Sequence, residues 1–173
     1  TGALYSALAR TPVGDDLAFM AAEIVYGWWR VVGGERLGAQ AETMLRRVTE
    51  GHRGSGHWDD ALWMLSRLYH AQGRYEDEII AIGHILATRE TPLIVGHYDT
   101  TFHWVGTLRI ARLQMLTFND PARAAATYAG FVSSFTYSRW RDDARFWQGC
   151  ALLRAGQPQA AEAAFATISD IYP

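Results

Sequence analysis

At 173 residues, with 49% hydrophobic and 13% aromatic content, the chain is long and apolar enough to bury a core, which excludes intrinsic disorder. A net charge of −2 leaves no electrostatic footprint for nucleic acid or an anionic membrane. No apolar run reaches the ~18–20 residues of a membrane-spanning helix, and a lone Cys150 allows no internal disulfide, so the redox compartment stays open.

Residues 1–14 hold at most a helical turn, broken by Pro12 and Gly14. Asp15 and Asp16 suit the start of a helix, which the spacing carries from Leu17 to Val32. Its predicted buried face is Leu17, Met20, Ala21, Ile24, Val25, Trp28 and Val32, with Trp28 and Trp29 straddling the edge so that at least one ring packs inside. Gly33-Gly34 stops that helix. A second amphipathic helix spans Glu35 to Thr49, burying Leu37, Ala41, Met44, Leu45 and Val48. Glu50 to His57 holds three glycines and two histidines with no apolar anchor, and reads as a mobile loop.

Helices three and four follow at Trp58–Gln72 and Tyr75–Thr88, before Arg89 to Pro92 breaks the chain. The next helix, Tyr98–Phe118, is predicted to be the longest. Asn119-Asp120-Pro121 ends it and starts another, with Pro at an early helical position, running to Phe135. The last stretch, Arg139 to Pro173, reads as two short helices around a turn at Ala155–Pro158. Small residues Gly149, Ala161 and Ala164 stand there where helices touch, with Phe165 and Ile168 as filling. No stretch alternates with period two long enough for a strand.

The stretch from Trp58 to Ile82 repeats the layout of the last: Asp60-Ala61 and Gly73 return as Asp143-Ala144 and Gly156, both offset by 83 residues (143 − 60 and 156 − 73). A repeat architecture follows. The chain is all-α, an array of antiparallel helical hairpins with seven to nine helices. These residues resemble the tetratricopeptide repeat: Gly149 and Ala161 take its small positions, Phe165 its large core position and Pro173 its closing proline. The copy around Gly73 keeps Leu65, Tyr69, Tyr75 and Ile82, with Ser66 and Glu78 where the family prefers small residues. The approximate repeats are 15–49, 58–88, 98–135 and 139–173, forming one domain, a TPR-like α-solenoid. The phrase Ser133 to Ala144, with Ile171-Tyr172-Pro173, is similar to the connectors of bacterial periplasmic assembly lipoproteins and cell-envelope scaffolds.

The chemistry of catalysis is missing. The six histidines at 52, 57, 70, 84, 97 and 103 include no His-Glu-x-x-His motif, and His97 and His103 would lie about 240° apart on one helix. The recurrent Asp pairs 15/16, 59/60 and 142/143, with Asp99, sit where helices begin and read as capping and dipole complementation. Gly51 to Gly56 lacks the Lys-Ser/Thr ending of a phosphate loop, and no Gly-x-Ser-x-Gly elbow occurs. Cys150, beside Gly149, reads as a buried structural thiol. The absence of Lys among sixteen basic residues reads as codon composition, with a selected role for guanidinium groups as the alternative. No catalytic, metal or cofactor residues are assigned.

The resemblance implies binding instead: one face of each repeat's first helix lines a groove for a protein or peptide partner, or for several subunits of a complex. Carried over by position, that face would show Trp28, then Asp60, Trp63, Arg67 and His70, then Arg109, then Asp143, Phe146 and Arg154. Arg can clamp a carboxylate, and aromatic and Arg side chains anchor interfaces. Trp63 and Phe146 equally fit plain packing between repeats. The surplus of Trp58, Trp104, Trp140 and Trp147 fits a surface covered by a neighbouring subunit. The expected function is a non-catalytic interaction scaffold, periplasmic or membrane-associated in a Gram-negative bacterium, with the cytoplasm left open. Two alternatives stand beside it: the helical superstructure of a soluble lytic transglycosylase-like enzyme, or a structural subunit of a larger assembly. The start at Thr1 and the end at Pro173 read as the limits of a segment of a longer protein.

Overall fold

The computed structural model describes residues 14–53, 55–87 and 101–168. Among them are eight helices and no strand: α1 Gly14–Val32, α2 Glu35–Gly51, α3 Trp58–Ala71, α4 Tyr75–Ala87, α5 Thr101–Leu116, α6 Pro121–Ser134, α7 Arg141–Arg154 and α8 Pro158–Ala166. They divide into two compact units, Thr1–Ala87 with α1–α4 and Thr88–Pro173 with α5–α8. Within each unit every helix packs on the next in sequence, the neighbour pattern of stacked hairpins.

The turns explain why the helices stop. Gly33, Gly34, Gly73 and Gly156 adopt φ of 75°, 91°, 72° and 73°, a region L side chains rarely enter. Asn119 reaches φ 51° between α5 and α6, where Asp120 accepts a hydrogen bond from the Arg123 amide and Pro121 opens the next helix.

The 83-residue offset extends to the backbone hydrogen bonds. Arg74 N–H donates to Tyr69 O and Gly73 N–H to His70 O, and 83 residues later Gln157 donates to Leu152 O and Gly156 to Leu153 O. Both are the double cap that closes a helix on a left-handed glycine. The entries to α3 and α7 match as well. Ser55 N–H donates to His52 O and its hydroxyl accepts from the His57 amide; Ser138 N–H donates to Phe135 O and its hydroxyl accepts from the Trp140 amide. The shared phrase is therefore Ser-x-x-x-Asp-Asp-Ala, at Ser55–Ala61 and again at Ser138–Ala144.

Unit 1 corrects two expectations. The buried face of α1 is Gly14, Ala18, Phe19, Ala22 and Tyr26, with Trp29 half-buried. Of the predicted set, Leu17, Met20, Ile24, Trp28 and Val32 lie exposed, and Ala21 and Val25 are half-buried. Both stripes are apolar, and small residues decide between them. Ala18 and Ala22 let α1 approach α2, whose own inner face is Gly38, Ala41, Leu45 and Val48. A Cβ on Gly38 would come within 3.1 Å of the Trp29 indole nitrogen and 3.0 Å of the Gln72 amide. The stretch expected to lack an anchor is tied down at Ser55, His57 and Trp58. His57 stacks on Phe19 at 4.4 Å between ring centroids, its Nε2 lies 3.0 Å from Asp16 Oδ1, and the Trp58 indole donates to Thr49 O. The Ser55 hydroxyl, aided by the Asp15 and Asp16 amides and the charge of His52, holds the Asp15 carboxyl below its ordinary range against desolvation.

A polar network ties α2, α3 and α4. Glu42 accepts from Tyr69 Oη (3.1 Å), from the Arg74 guanidinium (2.7 and 3.3 Å) and from Arg46 Nε (3.1 Å), while Arg74 also donates to Asp77 (2.7 Å) and lies 4.4 Å from the Tyr69 ring centre. Desolvation pushes the Glu42 carboxyl up, but the Arg74 bonds and charge outweigh it and leave it below the usual carboxylate range. The two departures from the repeat pattern are compensated locally. The Ser66 hydroxyl bonds to Trp63 O, and the fully buried Glu78 carboxylate meets His70 Nδ1 at 2.8 Å.

In unit 2 the core is Ala111, Met115, Ala124, Ala125, Tyr128, Phe131, Ala144 and Ala151, with Trp104, Leu108, Trp140 and Leu152 against it. Gly149 is buried beneath Phe165, so close that a Cβ would fall within the ring's van der Waals envelope. Three expectations shift here. Cys150 is half-buried rather than buried. The helix before Asn119 is described over Thr101–Leu116, ending two residues before Phe118, and its expected start at Tyr98 falls outside the described residues. The Asp pairs sit in the first turns of α1, α3 and α7, but the positions capping α3 and α7 are His57 and Trp140, neither of which makes a side-chain capping bond. In α3 the Asp59 carboxylate itself accepts from the Asp60 amide at 3.1 Å, so the pairs complement the helix dipole and take up first-turn amides from inside the helix rather than from the cap position. The expectations for residues 1–13, for His97 and Asp99, and for Ile171 to Pro173 fall outside the described residues.

Candidate functional site: an aromatic cleft between α5 and α7

Unit 2 opens a cleft of about 410 Å³ lined by Leu108, Arg112, Met115 and Leu116 from α5, Tyr128 from α6, and Trp140, Asp143 and Trp147 at the start of α7. Two periodicities build it. Residues 108, 112, 115 and 116 share one face of α5, and 140, 143 and 147 share one face of the α7 entry. The facing sides are apolar, and Arg112 and Asp143 add one charge of each sign.

The walls are held in place. Trp140 stacks on Trp104 at 5.7 Å with a 19° interplanar angle, and the Arg139 guanidinium lies 5.0 Å from the Trp140 ring centre. The bond from the Trp140 amide to the Ser138 hydroxyl (3.2 Å) fixes its backbone. Tyr128 is buried at 4% exposure. Burial raises its hydroxyl above the usual phenol range despite the opposing charge of Arg112, so it stays a neutral hydrogen-bonding group. Trp147 is 45% exposed, set edge-on to Phe146. One rigid indole and one accessible indole on an apolar floor, with a nearby guanidinium, are the side chains that anchor protein interfaces.

Unit 1 offers two shallower depressions. One of about 870 Å³ lies among Tyr26, Trp29, Arg30, Glu42, Arg67 and Arg74 and is polar and wide open. The other, about 390 Å³, lies between α2 and α4 and includes Arg46, Trp58, Tyr69, Ile80 and His84. Neither joins an apolar floor to exposed aromatic walls.

The nine residues expected on the groove face are spread over both units. Trp28 is on the exposed stripe of α1. Asp60, Trp63, Arg67 and His70 share one face of α3, where Arg67 borders the polar depression and His70 is engaged with Glu78. Desolvation and the neighbouring Asp59 raise the Asp60 carboxyl above its ordinary value. Arg109 is half-buried on α5, Phe146 lies 6.0 Å from the Phe165 ring centre, and Arg154 is the exposed last residue of α7. Of the nine, Asp143 lines the aromatic cleft. Leu108, Arg112, Met115, Leu116 and Tyr128 lie outside the expected groove face, although their helical spacing is readable in the sequence, and Trp140 and Trp147 belong to its surplus aromatic surface.

Among the described residues no group of three or more His, Cys, Asp or Glu side chains comes together to hold a metal ion, and no helix is long and apolar enough to cross a membrane. A family model described as tetratricopeptide repeat matches residues 143–173, which takes in most of α7 and all of α8. No curated protein matches the chain, and no solved structure does. The fold is thus one of helical hairpins of tetratricopeptide type, with the family pattern itself recognised in the last hairpin.

Proposed function

We propose that this chain is a non-catalytic scaffold that docks a protein segment in the cleft between α5 and α7. The observation that carries this reading is the pairing of Trp140 and Trp147 over Leu108, Met115 and Tyr128, with Arg112 and Asp143 among the lining residues. The occupant that fits is a peptide segment inserting a bulky aliphatic or aromatic side chain between the two indoles. An adjacent carboxylate on that segment would meet Arg112, and an amide or basic group would meet Asp143. The Ser-x-x-x-Asp-Asp-Ala phrases, similar to the connectors of envelope assembly proteins, support a place in complex assembly at a bacterial cell envelope.

Selection of a random peptide library against the full chain tests the reading. Recovered peptides should share an apolar anchor beside an acidic residue. Their affinity should fall at least tenfold for Trp147→Ala and for Arg112→Ala while the helical circular dichroism of both variants is unchanged. Peptides that bind both variants as tightly as the parent chain would refute it.

A further inference from the structure

The outer face of α1 is a second surface, unrelated to the cleft. Leu17, Met20, Ile24, Trp28 and Val31 recur at intervals of three, four, four and three along the helix and are 40%, 56%, 61%, 66% and 88% exposed. The neighbouring Val32 adds 68%. Side chains at these intervals form the seam by which one helix packs on another.

We infer that this stripe pairs α1 with α1 of a second copy of the chain, the two helices antiparallel about a twofold axis at Ile24. Three features of the stripe select a second copy as the occupant. First, it is self-complementary: about an axis at Ile24, Leu17 faces the partner's Val31, Met20 faces the partner's Trp28, and Ile24 faces itself, so every residue of the seam has an apolar counterpart. Gly27 beside Trp28 leaves open space where a Cβ would meet nothing within 4 Å, a notch that accommodates a thioether or an indole. Second, charge favours the antiparallel sense: the first turn is acidic, with Asp15 and Asp16, and the last turn basic, with Arg30, so the two helices bring ends of opposite sign together even though Asp16 also meets His57 of its own chain. Third, the area is of the right order: these six residues expose on the order of 700 Å² per chain, the upper limit of what the pairing buries, against the ~800 Å² each partner contributes to a standard interface.

The test is the mass of the full chain in solution by light scattering and sedimentation across micromolar concentrations. The parent chain should run at twice 19.4 kDa. Ile24→Lys sets a charge against its own copy on the axis and should weaken dimerisation at least a hundredfold. Leu153→Lys, an equally exposed apolar site on α7, should leave the dimer intact. Because both positions are exposed, neither change should alter helix content. Ile24→Cys in a Cys150→Ser background should oxidise to a disulfide-linked dimer across the axis. A monomer at every concentration, a dimer indifferent to Ile24→Lys, or no cross-link at position 24 would overturn the pairing. The stripe would then belong to residues 1–13 of the same chain or to another protein.

Discussion

Gly149 and Gly130 make a matched pair of glycines whose replacement by Ala should have opposite signs. Both are inside helices, where Ala is favoured over Gly by about 1 kcal/mol. At Gly130, on the exposed side of α6, a Cβ would meet nothing within 4 Å, so Gly130→Ala should stabilise by about 0.5–1 kcal/mol. At Gly149 the same Cβ collides with the Phe165 ring. The ring must swing out, giving up packing over α7 and its contact with Phe146, or α8 must move. Overpacking of this kind costs about 1–3 kcal/mol, which exceeds the propensity gain, so Gly149→Ala should destabilise by about 1–2 kcal/mol net. Urea unfolding followed by circular dichroism measures both changes. A double-mutant cycle locates the cause: in a Phe165→Ala background, Gly149→Ala should become neutral or stabilising. If Gly149→Ala raises stability in the parent chain as much as Gly130→Ala does, the close approach of α7 and α8 is refuted.

Three further outcomes follow from unit 1. Glu42→Gln weakens three charge-assisted bonds at a partly exposed site and should cost about 1–2 kcal/mol at pH 7 in urea unfolding. Because the Glu42 carboxyl is held below its ordinary value, its contribution is present above the unfolded value near ~4.3 and lost as pH falls through the folded one, so the gap between parent and variant should shrink as the solution is acidified below that range. Asp60 runs the other way. Its raised carboxyl opposes folding once ionised, so stability is lost as pH rises through its titration, and Asp60→Asn should stabilise slightly at pH 7, by an amount that solvent screening keeps small, and should have less effect as the solution is acidified. For the His70–Glu78 pair, His70→Leu alone should destabilise by about 1–3 kcal/mol, because it removes a hydrogen-bond partner 2.8 Å from a fully buried side chain. The double change His70→Leu with Glu78→Ala installs the residues that stand 83 positions later, Leu153 and Ala161, and thermal unfolding should return close to the parent midpoint.

Much of the fold was legible because turn chemistry is local. Left-handed glycines at 33–34, 73 and 156 and Pro121 after Asp120 set the ends of helices in the sequence and in the structure alike. The offset of 83 residues was visible at Asp60, Gly73, Asp143 and Gly156, but its full extent was not. Ser55, in a glycine-rich stretch, did not stand out as the counterpart of Ser138 until both made the same hydrogen bonds. What periodicity could not decide was which apolar face of α1 turns inward. Hydrophobicity favoured the stripe with Ile24 and Trp28, whereas packing selects the side where Ala18 and Ala22 allow close contact with α2. The cleft was hidden for a different reason. Its residues come from three helices, and only the turn at Asn119–Pro121 and the connection before Trp140 bring Leu108, Tyr128 and Trp147 to one place.

The proposed docking function is tested most directly by the indole N–H resonances of the seven tryptophans as a selected peptide is added. The account predicts that the Trp140 and Trp147 signals move, saturating together, while Trp29 and Trp58 in unit 1 stay in place. Shifts confined to unit 1, or an unmoved Trp147 at saturating peptide, would contradict it.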